Sequence, residues 1–475
     1  MQFKSIKPLV FSSILYLLLP NLLFYYNWFR NPIGILLVII MIVNFVLYFR
    51  AKNFIAFPDF EITKKQIIIL LLISLIWTIL TGVGNVVYQF IDFPAHNAKL
   101  YEMYKNQWPI KYEHNNLEII YYWAFYLIPA LIMKPLGHFS ELVYFLYFYV
   151  GMLICSSWIF VLFKNNYRKI LLFLFAGSFG VFVNQYIFSQ LFDFPQHVWP
   201  IFVSSVFEES NWVPNQIIPV VIVGSYFLYL IKEKLDFSHI LLPFILIFTW
   251  CVFPVIAFSL IFLIAFLIYG NITKFIGFSV HFLKHYMIVL IPVMLYYQSS
   301  NGGQVFEFIL IGDLTLKKVF LYTGQLLPQV ILMVFFTFMF IKESKERKFT
   351  LAIIATLCVI GLFKIGVFNE LVSRSYMVFY FFVYFMIVKN LTIQHIRKFS
   401  FIYIILILDV FTSVKIVKEK VTNSRFYSLD NLPIYDSLEY KSIYDFFIRN
   451  NRIEEMKQYS SKSNSLYIKY LRKEM

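Results

Sequence analysis

Residues 84–118 read GNVVYQFIDFPAHNAKLYEMYKNQWPIKYEHNNLE. This is the first long polar stretch of the chain, and it follows three strongly apolar runs near 9–27, 33–49 and 66–83. It brings Asp92, His96, Glu102, Lys105, Trp108, Lys111, Glu113 and His114 into one segment. Each preceding run is long enough to carry a helix across ~30 Å of hydrocarbon. The contrast decides the fold class: an all-α polytopic membrane protein whose spans are joined by polar loops. A β-barrel would show short strands alternating apolar with polar residues.

Working outward, the rest of the chain keeps this pattern. Of 475 residues 60% are hydrophobic, 21% are aromatic and only 14% are charged. A soluble domain is about a quarter charged. The formal charge is +15, but Lys and Arg fall in short clusters between apolar runs. That is the pattern of inner-face loops, not of a nucleic-acid-binding surface. Cys155, Cys251 and Cys358 lie in or beside apolar runs, with no CxxC or Cys/His spacing. Neither a zinc site nor a disulfide framework is indicated. Lys4 and Lys7 precede the first run and no small-residue cleavage site follows, which predicts an uncleaved first span.

The Lys/Arg bias of short loops sets the sides. Lys4 and Lys7 place the N-terminus inside, and the loop 50–65, with Arg50, Lys52, Lys64 and Lys65, is inside too. The stretch 84–118 then emerges outside. The next run, YYWAFYLIPALIM at Tyr121–Met133, is short and contains Pro129. It predicts an interfacial or re-entrant helix, which leaves Lys164, Arg168 and Lys169 inside. The run 239–270 is too long for one helix and is broken at Trp250–Pro254, predicting two short helices that meet near the outer face. The expectation is about thirteen crossings, in a transmembrane domain of residues 1–414. Its outer loops are 84–139, 188–214, 299–318 and 364–374, some carrying short interfacial helices. A tail, 415–475, lies outside, with Ile443, Phe446, Phe447 and Ile453 on one side of a helix around Ser442–Met456. The expected location is an inner (cytoplasmic) membrane, N-terminus inside and C-terminus outside.

The apolar runs carry almost no ionisable residues, Asp409 being the exception. Ion-coupled transport usually needs acids or histidines at mid-membrane. Here the polar residues gather in the outer loops, which predicts a site at the outer membrane surface. Asp92 and His96 are four apart and share a helical face, with Pro94 suited to the first turn. Asp92 is a candidate general base, or a ligand with Asp193 for a divalent cation such as Mg2+ or Mn2+; a plain helix cap is the alternative. The second loop repeats the pattern as Asp193 and His197, followed by Trp199, Glu208, Glu209 and Trp212. In NWVPNQ, Asn215 and Gln216 either bind ligand hydroxyls or cap the next span. Trp108, Trp212 and Tyr122 suit a sugar face, and equally the headgroup belt. Arg374 sits at the outer end of a span, against the inner-face bias, with Lys364 and Glu370 in the same loop. Cations there can grip a phosphate, Arg bidentately. Gln304, Glu307 and Asp313 read as solvated, and the clusters at 164–169, 232–234 and 342–348 as determinants of topology.

The segments QFIDFPAHN, QWPIKYE and IIYYWAFYLIPAL together resemble the first extracytoplasmic loop of bacterial GT-C-fold glycosyltransferases and their relatives. NWVPNQ, TWCVFP and FNELVSRS resemble recurring later segments, so the likeness covers most of the chain as a pattern. The resemblance implies a GT-C-like arrangement and inverting transfer of a sugar from a polyprenyl-phosphate-linked donor to a glycan, lipid or protein acceptor. It implies Asp92 as base and Arg374 or Lys364 at the donor phosphate. Phe93 stands where that family often has a second acid. An O-antigen-type polysaccharide polymerase or ligase would use a similar donor with outer-loop Arg and His. A lipid or glycan flippase or transporter would need a polar groove across the membrane, which the charge-poor spans do not supply.

Overall fold

The computed structural model describes residues 5–50, 61–90, 92–112, 117–183, 204–270, 272–301, 306–308, 316–366, 369–392, 394–395, 401–423 and 440–474. In chain order the helices begin with α1 (Lys7–Trp28), α2 (Asn31–Arg50), α3 (Lys64–Thr81), α4 (Phe93–Lys105), α5 (Ala124–Leu136) and α6 (Glu141–Leu162). Next come α7 (Tyr167–Phe175), α8 (Phe179–Val183), α9 (Val206–Trp212), α10 (Pro214–Lys232), α11 (Leu241–Leu246), α12 (Phe253–Tyr269) and α13 (Ile272–Gln298). The last are α14 (Leu316–Phe340), α15 (Ser344–Ile360), α16 (Glu370–Asn390), α17 (Phe401–Asn423), α18 (Ile443–Arg449) and α19 (Ile453–Tyr459). Two small antiparallel ribbons join β1 (Lys111–Tyr112) to β2 (Leu117–Glu118) and β3 (Phe306–Phe308) to β4 (Phe363–Ile365).

Seven described helices are long and apolar enough to cross a membrane: α1, α2, α3, α6, α10, α13 and α16. The chain is therefore a helical, membrane-embedded protein, but the described residues do not reach thirteen crossings. The differences have local causes. The apolar run that begins after Lys169 breaks at Ala176–Ser178 into α7 and α8. Gly177 has φ +134, and a Cβ there would lie 1.9 Å from the Tyr380 hydroxyl oxygen. α13 starts at Ile272, so Lys274 and Lys284, which come after the run 239–270, ride on the next helix with exposed side chains. α17 continues to Asn423, so the expected boundary at 414 falls inside a helix. The tail helix is two, α18 and α19, parted where Asn451 takes a positive φ of 54. Ile443, Phe446 and Phe447 are buried as expected, while Ile453 is exposed.

α5 holds thirteen residues, about 20 Å of helix at ~1.5 Å per residue, too short for ~30 Å of hydrocarbon. It is wedged against α1, α4 and α6, with Phe125, Leu127, Ala130 and Met133 fully buried. The long apolar run 239–270 breaks between Thr249 and Phe253, as its Trp-Cys-Val-Phe-Pro sequence predicts.

α10 and α16 form the centre, with 94% and 89% of their apolar windows buried. Gly224 lets them approach: a Cβ there would sit 2.8 Å from Phe381 Cε1. Both run in the same direction between two cavities. Asn215, Gln216 and Arg374 wall one cavity, and Lys232 and Lys389 wall the other. The Lys169 ammonium donates to the Lys389 carbonyl, so the 164–169 cluster shares the second end. The cluster after α6 therefore lies at the end of the bundle opposite Asn215, Gln216 and Arg374.

Asp409 explains how the α7–α8 break is tolerated. Its Oδ1 accepts from the Phe179 amide at 2.9 Å and its Oδ2 from the Tyr384 hydroxyl at 2.6 Å. Its carbonyl accepts from the Gly177 and Ser178 amides at 3.2 and 3.1 Å. Gln329 Oε1 takes the Gly180 amide at 2.6 Å. Asp409→Leu would orphan a buried amide and a buried hydroxyl, each costing ~1–3 kcal/mol. We expect a loss of roughly 2–5 kcal/mol for Asp409→Leu and a smaller one for Asp409→Asn. Thermal unfolding in detergent measures it; a Leu variant that melts with the parent would show that the carboxylate holds nothing.

Candidate functional site

The first cavity has a volume of about 570 Å³ and lies where α4, α9, α17, the N-terminal ends of α10 and α16, and the tail helices converge. Asp92 occupies the N-cap position of α4, but its backbone is already helical (φ −83, ψ −16) and its side chain makes no capping bond. The capping alternative is therefore not taken, and the carboxylate faces the cavity.

One turn on, His96 is 4% exposed. Its Nδ1 lies 2.6 Å from the Tyr126 hydroxyl and its Nε2 3.4 Å from the Trp212 carbonyl. Burial, then the Lys99 charge, hold its pKa well below the usual histidine range. A neutral ring that accepts at Nδ1 and donates from Nε2 satisfies both contacts. His96 thus ties α4 to α5 and the end of α9, and both ring nitrogens are engaged by protein. Lys99 follows on the same helical face. Its ammonium donates to the Tyr121 hydroxyl at 2.9 Å and sits 4.0 Å over the Tyr121 ring. Burial pushes Lys99 down to about 7, opposed by the Asp92 charge and reinforced by Arg452.

Arg374, in the first turns of α16, lies within electrostatic reach of Tyr122, Glu209 and Asp92. Its Nε is buried with no hydrogen-bond partner. Asn215 is fully buried at the start of α10, and neither its amide oxygen nor its amide nitrogen has a partner. A desolvated amide without partners is unfavourable by a few kcal/mol, so a polar ligand in the cavity would relieve it. Gln216 lines the wall beside it at 2% exposure.

The two glutamates of α9 have different duties. Glu208 closes a capping box with Ser205 and accepts from Ser178 Oγ at 2.5 Å and Ser413 Oγ at 3.3 Å. Burial raises it to about 7. Glu209 accepts from Ser204 Oγ at 2.9 Å. Burial raises its pKa, and Arg374 opposes that shift.

The tail completes the wall. The Ile443 amide donates to Glu102 Oε2 at 3.3 Å, the Ile120 amide to the Tyr459 carbonyl at 2.8 Å, and Gln458 Nε2 to Glu370 Oε1 at 3.0 Å. Phe447 stacks on Tyr459, and Arg452 forms an ion pair with Glu455.

Of the residues predicted from sequence, Asp92, His96, Tyr122, Trp212, Asn215, Gln216 and Arg374 come together in this cavity. Lys364 does not; it sits on β4, across from Glu307 of β3. Trp108 does not either: its Nε1 donates to the Met103 carbonyl at 2.9 Å, and its ring lies 4.1 Å beneath the Lys134 ammonium. Asp193 and His197 lie outside the described residues. Glu370, named with Arg374 from the sequence, also lines the cavity, as do Lys99, Arg452 and Glu455, which the sequence reading does not identify. Lys99 was findable, since 92, 96 and 99 follow helical spacing. Among the described residues no three His, Cys, Asp or Glu side chains are grouped to hold a metal ion.

Fold and site together define an all-helical membrane protein with a charged cavity at one end of its bundle. No protein-family model, curated protein or solved structure matches the chain.

Glu102 gives the docked tail a pH signature. Burial raises it from 4.5 to about 7. Between those values the folded state holds a proton that the unfolded state has lost, so stability falls as pH rises through that window. Glu102→Gln removes the term. Its melting temperature relative to the parent should climb from pH 5 to pH 7 and then level off. A difference independent of pH would refute the assignment.

Proposed function

We propose that the chain is a GT-C-type glycosyltransferase, moving a sugar from a polyprenyl-phosphate-linked donor to a glycan, lipid or protein acceptor. The observation that carries the reading is the pairing, in one cavity, of an uncapped carboxylate, Asp92, with a half-buried cation, Arg374, beside the unpartnered amide of Asn215.

In the proposed reaction the Asp92 carboxylate takes the proton of the acceptor hydroxyl. The acceptor oxygen bonds to the anomeric carbon as the bond from that carbon to the phosphate oxygen breaks. Polyprenyl phosphate leaves with the bonding pair, and the Arg374 guanidinium offsets the charge that develops on it. Asn215 and Gln216 bind sugar hydroxyls, and the rings of Tyr122 and Trp212 suit the apolar sugar face. The lipid path has support in α17. Its Thr412, Lys415 and Ile416 line the cavity, while Ile407, Phe411, Val414 and Val421 are exposed and apolar. A donor head in the cavity would then have its prenyl chain beside a lipid-facing helix.

The proposed location is the outer face of an inner membrane. Lys169, Lys232 and Lys389 gather at the opposite end of the bundle, and Lys-rich ends favour the inner side.

The test is release of polyprenyl phosphate and transfer of labelled sugar by the full chain in membranes, across a panel of donors. Asp92→Asn, expressed at the parent level, should lose 10²–10⁴-fold in rate, the range for a general base. Arg374→Gln should lose rate and donor affinity together. Full transfer by Asp92→Asn would show that the base is elsewhere.

A further inference from the structure

The cavity at the other end of the bundle has a volume of about 1060 Å³ and belongs to none of the chemistry above. Five lysines line it: Lys232 at the end of α10, Lys234 just beyond, Lys274 on α13, Lys345 on α15 and Lys389 at the end of α16. About 22 Å of helix, at ~1.5 Å per residue, separates Lys389 from Arg374, so the two cavities are distinct.

Topology alone explains why lysines lie at this end. It does not explain why they converge on a large recess. Three acids share the wall, and two of them are already engaged. Asp236 accepts the Ser238 amide at 3.0 Å, and Glu346 holds both the Lys389 ammonium and the Asn390 amide. Lys234 and Lys345 form no ion pair among the described residues. The Tyr269 hydroxyl also lines the recess, buried and without a hydrogen-bond partner. The first turn of α15 borders it too, with no side-chain cap on its amides. A concave site with surplus cations, an idle hydroxyl donor and an uncapped helix start suits a phosphate.

The wall is also amphipathic. Phe266, Phe278 and Met386 are among its apolar lining. α13, which supplies Lys274 and Phe278, is only 22% buried over its apolar window. Its Ile276, Val280 and Leu283 point outward at 55–58% exposure. A ligand with a phosphate head and acyl chains would place the head on the lysines and the chains along α13.

We propose that this recess binds the headgroup of an anionic phospholipid from the adjoining leaflet. The shared chemistry is a phosphate anion, so the experiment separates lipid from free ion. The purified full chain is titrated in neutral detergent with phosphatidylglycerol, with phosphatidylcholine, and with inorganic phosphate, followed by melting temperature and native mass spectrometry. Phosphatidylglycerol should raise the melting temperature and stay bound; phosphatidylcholine and phosphate should do neither. Lys234→Gln combined with Lys345→Gln should weaken the lipid at least tenfold while melting as the parent does without lipid. Tyr269→Phe, which removes only the hydroxyl, should weaken it less and serves if the double variant folds poorly. Equal stabilisation by phosphatidylcholine, unchanged binding by both variants, or the same shift with inorganic phosphate alone would overturn the proposal. Asp92→Asn should leave lipid binding intact, so the result is independent of the transferase reading.

Discussion

A helix enclosed by protein inside a bilayer can present charge only at its two ends. α10 and α16 are the clearest instances here, and the layout of the molecule follows from them. Their middles are apolar and aromatic and pack closely where Gly224 admits Phe381. Their charged and amide-bearing residues are pushed to the termini: Asn215, Gln216, Glu370 and Arg374 at one end, Lys232 and Lys389 at the other. Because the two helices run parallel, like ends coincide, and each pair of ends helps to wall a cavity. Charged ligands can therefore be recognised at either end without a charge buried at mid-membrane.

The same constraint governs the breaks. Backbone groups freed inside a bilayer must find partners within the protein. At the α7–α8 break they find Asp409 and Gln329. At the break before α12 the partner is Asn21 on α1. Its Nδ2 donates to the Leu246 carbonyl at 2.8 Å, and its Oδ1 accepts from Thr249 at 2.9 Å and Tyr25 at 3.1 Å. Trp250 Nε1 reaches the Leu17 carbonyl at 3.3 Å. A lone Asp or Asn within an apolar run reads from sequence as a functional anomaly. In this protein both are backbone caps supplied from a neighbouring helix.

These particulars show what a single sequence can disclose. Helical spacing puts Asp92 and His96 on one face, and Lys99, three residues beyond His96, follows the same spacing. Arg374 was legible because it runs against the charge bias expected of its loop. The role of His96 was not legible, because Tyr126 and the Trp212 carbonyl, which occupy its ring, are distant in sequence. The described residues fall short of thirteen crossings for a related reason. Hydropathy registers an apolar run but not the neighbour that lets it stop half-way, as at Ser178. Lys364 looked equivalent to Arg374 in its loop, yet it lies on a three-residue strand paired with β3 and does not line the cavity. The tail was expected outside, but nothing in its composition shows that Arg452, Glu455 and Tyr459 join the wall.

The charges around Arg374 are arranged so that an incoming anion need not evict a carboxylate. Two acids in its surroundings, Glu209 and Glu370, are each held by another protein group, Ser204 and Gln458. Asp92 carries no capping bond, and the guanidinium Nε has no hydrogen-bond partner. A phosphate bound at Nε would satisfy that orphaned donor. It would also draw positive potential away from Asp92, making the carboxylate a better proton acceptor. Lys99, brought near neutrality by burial, adds less fixed positive charge beside Asp92 than an exposed lysine would. Donor binding and base strength would thereby be linked through one arginine, which is the behaviour expected of a site that should not deprotonate its acceptor before the leaving group is in place.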